Sequence, residues 1–228
     1  MTDQDAMKRQ AAEAAVAEVQ DGMVLGLGTG STAALAVEAL AVRVRQGLRV
    51  VGVPTSERTA AQAGSLGIPL ATLGEQPRLD LTIDGADEVH TGTLDLIKGL
   101  GGALLREKIV AASGPRMTVI VDAGKLVQTL GSRVRLPVEV VRFGWQATLE
   151  RLRDAGADPA LRGGAGDPFV TDGGNHIADC AFPGIPDPAA LHARLKSLVG
   201  VVETGLFIGM ATRVIVGTPA GPKVMERA

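Results

Sequence analysis

Apolar residues recur along the chain in two rhythms. Short, mostly apolar runs, Met23 to Leu27, Leu48 to Val53, Leu79 to Ile83 and Met117 to Val121, each stop at a glycine, proline or aspartate. Runs of that kind predict strands buried on both faces. Between them, apolar positions return at helical spacing over 4–20, 33–46, 56–67 and 103–113, with Ser56 placed to cap the third helix and Gly47 to end the second. A short strand is also expected at Leu94 to Ile97. Strands alternating with helices predict an α/β fold, a mostly parallel sheet covered by helices on both faces.

After Gly131 the pattern changes. A strand-like run from Leu136 precedes a helical stretch, Trp145 to Ala155. Short strands are then expected near 158–161, 169–171 and 176–180, followed by a helix over 187–198 and a strand at 201–204. This order resembles a split βαβ (ferredoxin-like) unit. A smaller α+β domain is therefore placed at 132–206, inserted into a main domain of 1–131 and 207–228, to which Arg213–Val216 returns one strand.

Composition narrows the function classes. A net charge of −2, with four Phe, one Trp and no Tyr, supplies neither the basic field nor the aromatic platform of a nucleic-acid binder. Met23 to Val44 is broken by three glycines and by Glu38 and Arg43, so no membrane span is expected. The polar first ten residues do not read as a secretory leader. The single cysteine, Cys180, has no intramolecular partner and reads as a core residue. The expected compartment is the cytoplasm.

Chemistry concentrates where strands end. Gly26-Leu-Gly-Thr-Gly-Ser-Thr32 joins a strand to a helix, where glycines admit a ligand and free N–H groups suit an anion. No Walker lysine follows. Asp84-Gly-Ala-Asp-Glu88 puts three carboxylates after the third strand; it reads as a ligand-binding turn, a solvated turn or a Mg²⁺ site. Ile97-Lys-Gly-Leu-Gly-Gly102 leads into the helix that carries Glu107, and Lys98 could stabilise an oxyanion. Glu107 lies about 200° around that helix from Leu105, which turns it away from a Leu105–Ile109–Ala112 stripe. By itself it reads as a solvated helix glutamate. Lys125 follows another strand end, and Thr171-Asp-Gly-Gly-Asn175 reads as a hairpin turn without chemistry. His90, His176 and His192 lack metal-ligand spacing.

Taken in order, Gly28–Ala33, Asp84–Glu88, Lys98–Ala103, Arg106–Val110, Leu136–Val140, Thr171–Asn175 and Gly205–Phe207 resemble ribose-5-phosphate isomerase, type A, over nearly the whole chain. The resemblance implies a Rossmann-like domain with a small α+β domain, no metal or organic cofactor, and assembly as a homodimer or homotetramer. It implies an aldose–ketose isomerase that takes a small sugar phosphate, interconverting D-ribose 5-phosphate and D-ribulose 5-phosphate through an enediolate. Glu107 falls on the family's catalytic base. Thr29, Gly30, Ser31, Thr32, Asp84, Gly85, Ala86, Asp87, Lys98, Gly99, Leu100, Gly101 and Lys125 fall on its substrate-binding positions.

Within that scheme Asp84 is the first choice for ring opening, with Asp87 a second carboxylate able to share that role, and Lys98 carries charge stabilisation. Glu107 is expected to be shielded from water, which raises a carboxyl pKa toward the operating pH. Two departures stand out. Leu100 replaces a glycine of the usual Lys-Gly-Gly-Gly and would be strained if that position needs positive φ. Gly124 replaces a common serine, which removes one hydroxyl contact.

Two rivals remain. A sugar-phosphate sensor would not need Glu107 and Lys98 together. A dinucleotide-dependent oxidoreductase would want an acidic residue ending the second strand, which instead reads Val53-Pro54-Thr55.

Overall fold

The computed structural model describes residues 3–227. In chain order the elements are α1 (Asp3–Ala17), β1 (Val24–Leu27), α2 (Ser31–Arg45), β2 (Val51–Pro54), α3 (Glu57–Ser65), β3 (Leu81–Gly85), β4 (Glu88–His90), β5 (Leu96–Ile97), α4 (Leu104–Ala112) and β6 (Met117–Asp122). A 3₁₀ turn at Ala123–Lys125 follows. Then come β7 (Leu126–Val127), β8 (Leu136–Val140), α5 (Trp145–Asp154), β9 (Asp158–Leu161), β10 (His176–Ala181), α6 (Pro188–Lys196), β11 (Val201–Thr204), β12 (Leu206–Phe207), β13 (Arg213–Thr218) and β14 (Gly221–Glu226). Among these described residues, no helix is long and apolar enough to cross a membrane.

The chain packs as two compact units, one of Met1–Ala86, Arg106–Lys125 and Met210–Ala228, the other of Asp87–Leu105 and Leu126–Gly209. The first is built on a six-stranded sheet in the order β2-β1-β3-β6-β13-β14. Its first five strands are parallel, and β14 pairs antiparallel to β13. Successive strands leave β1 in opposite directions, β2 on one side and β3 on the other. Parallel sheets gather ligands in the crevice at such a switch point. The core joins Ala11, Ala12, Ala15 and Val16 of α1 to Val37, Leu40 and Ala41 of α2 and to Leu25, Leu81 and Ile120 of the sheet. Helix α1 lies on β13 so closely that a Cβ on Gly217 would stand 1.8 Å from the Met7 carbonyl oxygen, so only glycine fits there. Arg43 closes the C-terminal end of α1, donating to the carbonyls of Val16 and Val19.

The second unit holds an antiparallel sheet, β11-β8-β10-β9, with α5 and α6, and a sheet of short strands, β12-β5-β4-β7. The run β8-α5-β9-β10-α6-β11 is the anticipated split βαβ order. No strand forms at 169–171. The main chain there is used locally: the Phe169 N–H donates to the Arg162 carbonyl, and the Phe169 carbonyl meets His176 Nδ1 at 2.8 Å. The Thr171–Asn175 segment is a tight turn, closed by Gly174 N–H to Thr171 O and Thr171 N–H to Asn175 O, without a hairpin around it. Its side chains serve the core, since Thr171 Oγ1 and Asn175 Nδ2 each donate at 2.9 Å to the buried Glu139 carboxylate.

Candidate active site

In the first unit, β1 and β3 bring two predicted segments together at the switch point. Asp84 is fully buried at the end of β3, and its Oδ1 accepts the N–H groups of Thr29 (3.0 Å) and Gly85 (2.7 Å). Ala86 follows, half-buried. The Thr29 hydroxyl sits in a knot with Thr55 and Ser56 (2.7 Å each) and Thr59 (3.1 Å). Thr59 in turn donates to the Gly28 carbonyl and Thr55 to that of Leu27. All four hydroxyl residues are buried. The sequence marks Ser56 only as a helix cap, a role it fills by accepting the Thr59 N–H. The signal for the knot was a hydroxyl-rich Thr55-Ser-Glu-Arg-Thr59 segment at a strand's carboxyl end.

Gly30, at φ 114°, is the N-cap of α2, and no side chain caps that helix. Its first-turn N–H groups are thus left to a ligand or water. Ser31 is exposed there, while Thr32 is buried. From α1, Lys8 Nζ reaches Ser31 Oγ at 3.2 Å. Lys125 ends the 3₁₀ turn half-buried. Beside it, Asp122 accepts the Gly124 N–H, and a Cβ on Gly124 would fall 2.9 Å from that carboxylate oxygen. Glycine in place of serine here relieves a crowded contact.

Glu107 is 3% exposed on α4. This reverses the helical-face argument: Ile109, on the presumed core stripe, is 47% exposed, whereas Leu104, Glu107, Val110 and Ala111 form the buried face. Of the apolar Leu105–Ile109–Ala112 stripe, Leu105 is half-buried and Ile109 and Ala112 are exposed, so apolar character does not mark the buried face of this helix. Val110 packs against β1, where a Cβ on Gly26 would stand 2.7 Å from its Cγ1. Helix α4 feeds β6 and so runs back along the parallel sheet. Glu107, one turn before Val110, is carried toward the carboxyl end of β1, where Gly28 and Asp84 lie.

In the second unit, the Lys98–Gly102 loop is held by its main chain. Lys98 is 2% exposed, donates its N–H to the Gly205 carbonyl and carries its ammonium over the Phe207 ring at 5.5 Å. Gly99 and Gly102 adopt positive φ. Leu100 does not: among the described residues the one non-glycine at positive φ is Leu94. Its side chain is 44% exposed and its N–H donates to Asp87 Oδ2 at 2.9 Å. The strain conjectured for Leu100 is therefore absent. Gly101 is exposed at the tip. Glu88, third carboxylate of the Asp84 segment, is buried, and its oxygens accept the N–H groups of Gly131, Arg133 and Val134. It is an anchor for that loop and not a ligand-facing group. Among the described residues, no group of three or more His, Cys, Asp or Glu is placed to hold a metal ion.

A family model described as ribose 5-phosphate isomerase A (phosphoriboisomerase A) matches residues 51–221. A ribose-5-phosphate isomerase A of Gloeobacter violaceus is 61% identical over 223 residues, covering 98% of this chain and 97% of the relative. A ribose 5-phosphate isomerase A structure from Methanocaldococcus jannaschii superposes with a TM-score of 0.92 at 40% identity, covering 97% of this chain and 99% of the other. A D-ribose-5-phosphate isomerase solved in complex with phospho-erythronic acid gives 0.94 at 40% identity, with both chains fully covered.

Proposed function

The chain belongs to the ribose 5-phosphate isomerase A family and interconverts D-ribose 5-phosphate and D-ribulose 5-phosphate in the non-oxidative branch of the pentose phosphate pathway, and from that premise we propose that Glu107 is the base that moves the proton. The observation that carries this reading is the burial of Glu107 on the face of α4 that packs against β1. A carboxylate placed on the inner face of a helix needs a use, because its solvation is lost. Shielding from bulk water also protects an enediolate from side reactions.

In this scheme Asp84 opens the sugar ring. Glu107 then takes the C2 proton, and the C2–H electron pair becomes the C1–C2 double bond while negative charge collects on O1. A proton passes from O2 to O1, and Glu107 returns its proton to C1, which leaves the ketose. Lys98 stabilises the enediolate oxygen, assisted by the N–H groups of the Gly99–Gly101 loop. Asp87 holds that loop at Leu100 and, with Gly85 and Ala86, borders the sugar. Thr29 positions Asp84. Gly30, Ser31, Thr32 and Lys125 take the phosphate end, and the contact of Lys8 with Ser31 supports adding Lys8.

No metal or organic cofactor enters any step, so turnover should persist after exhaustive chelation. The family resemblance further supports a cytoplasmic homodimer or homotetramer, which sedimentation would decide. Glu107→Gln tests the centre of the scheme. It should lower kcat by roughly 10²–10⁴-fold with little change in thermal stability or in binding of a phosphorylated aldonic acid. Wild-type turnover in that variant would place the base elsewhere.

A further inference from the structure

One arginine of the small α+β unit is built into the Lys98 loop. Arg162 follows β9, and its side chain is largely buried. Nε and Nη2 fork onto the Asp179 carboxylate at 2.9 and 2.5 Å. Nη1 reaches out of that pair and donates to two consecutive carbonyls, Gly99 O and Leu100 O, at 3.1 Å each. The guanidinium lies over the Phe169 ring at 5.7 Å, and that ring occupies the space a Cβ on Gly102 would need.

The loop is thus gripped from two sides at one residue. Asp87 takes the Leu100 N–H and Arg162 takes the Leu100 carbonyl. Both bonds use the main chain, which is why a leucine side chain is accommodated there. In a trans peptide the C=O and the following N–H point in opposite directions. Fixing Leu100 O on Arg162 therefore turns the Gly101 N–H away from the arginine. That N–H has no partner among the described residues.

We propose that Arg162 is a positioning residue for the isomerisation: clamped by Asp179, it sets the Gly99 and Leu100 peptides so that Lys98 and the Gly101 N–H present together to the enediolate oxygen. The role rests on the reading of Lys98 given above. It acts through the loop and not through substrate contact, so it should be felt in the transition state more than in ground-state binding.

The test is a double-mutant cycle on the purified full chain with ribose 5-phosphate as substrate. Arg162→Met should lower kcat about tenfold or more while KM changes by less than about twofold. In a Lys98→Met background the same change should cost no more than about threefold, because the group it positions is gone. Arg162→Lys keeps the charge but cannot hold a carboxylate and two carbonyls in one plane. It should keep a near-native melting temperature and still lose kcat, which covers the case in which the methionine variant fails to fold. Wild-type kcat in either folded variant, or an equal loss in both backgrounds, overturns the proposal. Full activity in Lys98→Met alone would instead remove the reading beneath it, so the two failures are told apart by which variant remains active.

Discussion

Gly28 and Asp84 touch at the carboxyl ends of neighbouring strands: a Cβ on Gly28 would lie 2.1 Å from Asp84 Oδ1 and 2.6 Å from its Cα. The second contact is with backbone, so rotating the Asp84 side chain cannot relieve it. The closeness has a purpose, since it lets the next N–H, that of Thr29, reach the carboxylate. Gly28→Ala is expected to push β3 and the loop apart, costing about 1–3 kcal/mol of stability. With Asp84 as the proposed ring-opening group, a displacement there should lower kcat roughly tenfold or more. Urea unfolding and the ribose 5-phosphate assay measure the two effects. Unchanged turnover would mean that the placement of Asp84 is not critical.

The hydroxyl knot behind Thr29 predicts a graded response. Thr59 both donates to the Gly28 carbonyl and closes on Ser56 and Thr29. Thr59→Val keeps the shape but leaves buried partners unsatisfied, at a cost of about 1–3 kcal/mol. Thr59→Ser restores the hydroxyl and should recover most of that loss. Denaturant midpoints for the pair check this, and equal destabilisation by valine and serine would point to packing in place of hydrogen bonding.

The strand–loop–helix punctuation of the first unit was legible because glycine, proline and aspartate stop each apolar run. The split βαβ order was legible for the same reason. Strands β4, β5, β7 and β12 were not all readable, because two or three residues cannot show a period. Strand β14 hid behind Pro222 and Lys223, as a largely exposed edge strand does. At the candidate site, the sequence marks the loops but not which of their side chains are tied up in holding the fold. Glu88 stood beside Asp84 and Asp87 as a third candidate ligand, and only its three N–H partners reveal an anchor. Arg162 carried no local signal, since its target lies about sixty residues away along the chain.

Glu88 therefore makes its own prediction. Glu88→Gln replaces an acceptor oxygen with an amide N–H₂ facing backbone donors at Gly131, Arg133 or Val134. The variant should lose about 1–3 kcal/mol, and amide exchange should quicken at those positions. Native stability with unchanged exchange would show that water replaces the carboxylate without penalty.

Cys180 links stability to pH. It is fully buried in β10, and burial pushes its thiol from an ordinary 9.0 up to about 12, with the Asp179 and Asp158 carboxylates adding to the rise. Between about pH 9 and 12 the unfolded chain has released the thiol proton and the native chain still holds it, so the native state binds more protons. The stabilisation is thus complete below the unfolded pKa and disappears as pH climbs through that window, at about 1.4 kcal/mol per pH unit. Lysines titrate in the same range, so the comparison is with Cys180→Ala, whose other groups are the same. The stability difference between the two proteins should drift against the wild type as pH rises from 9. Below pH 8 the native thiol should also resist a water-soluble disulfide reagent and react once urea unfolds the chain. Parallel stability curves for the two proteins, or rapid labelling of the native thiol, would mean that Cys180 reaches solvent.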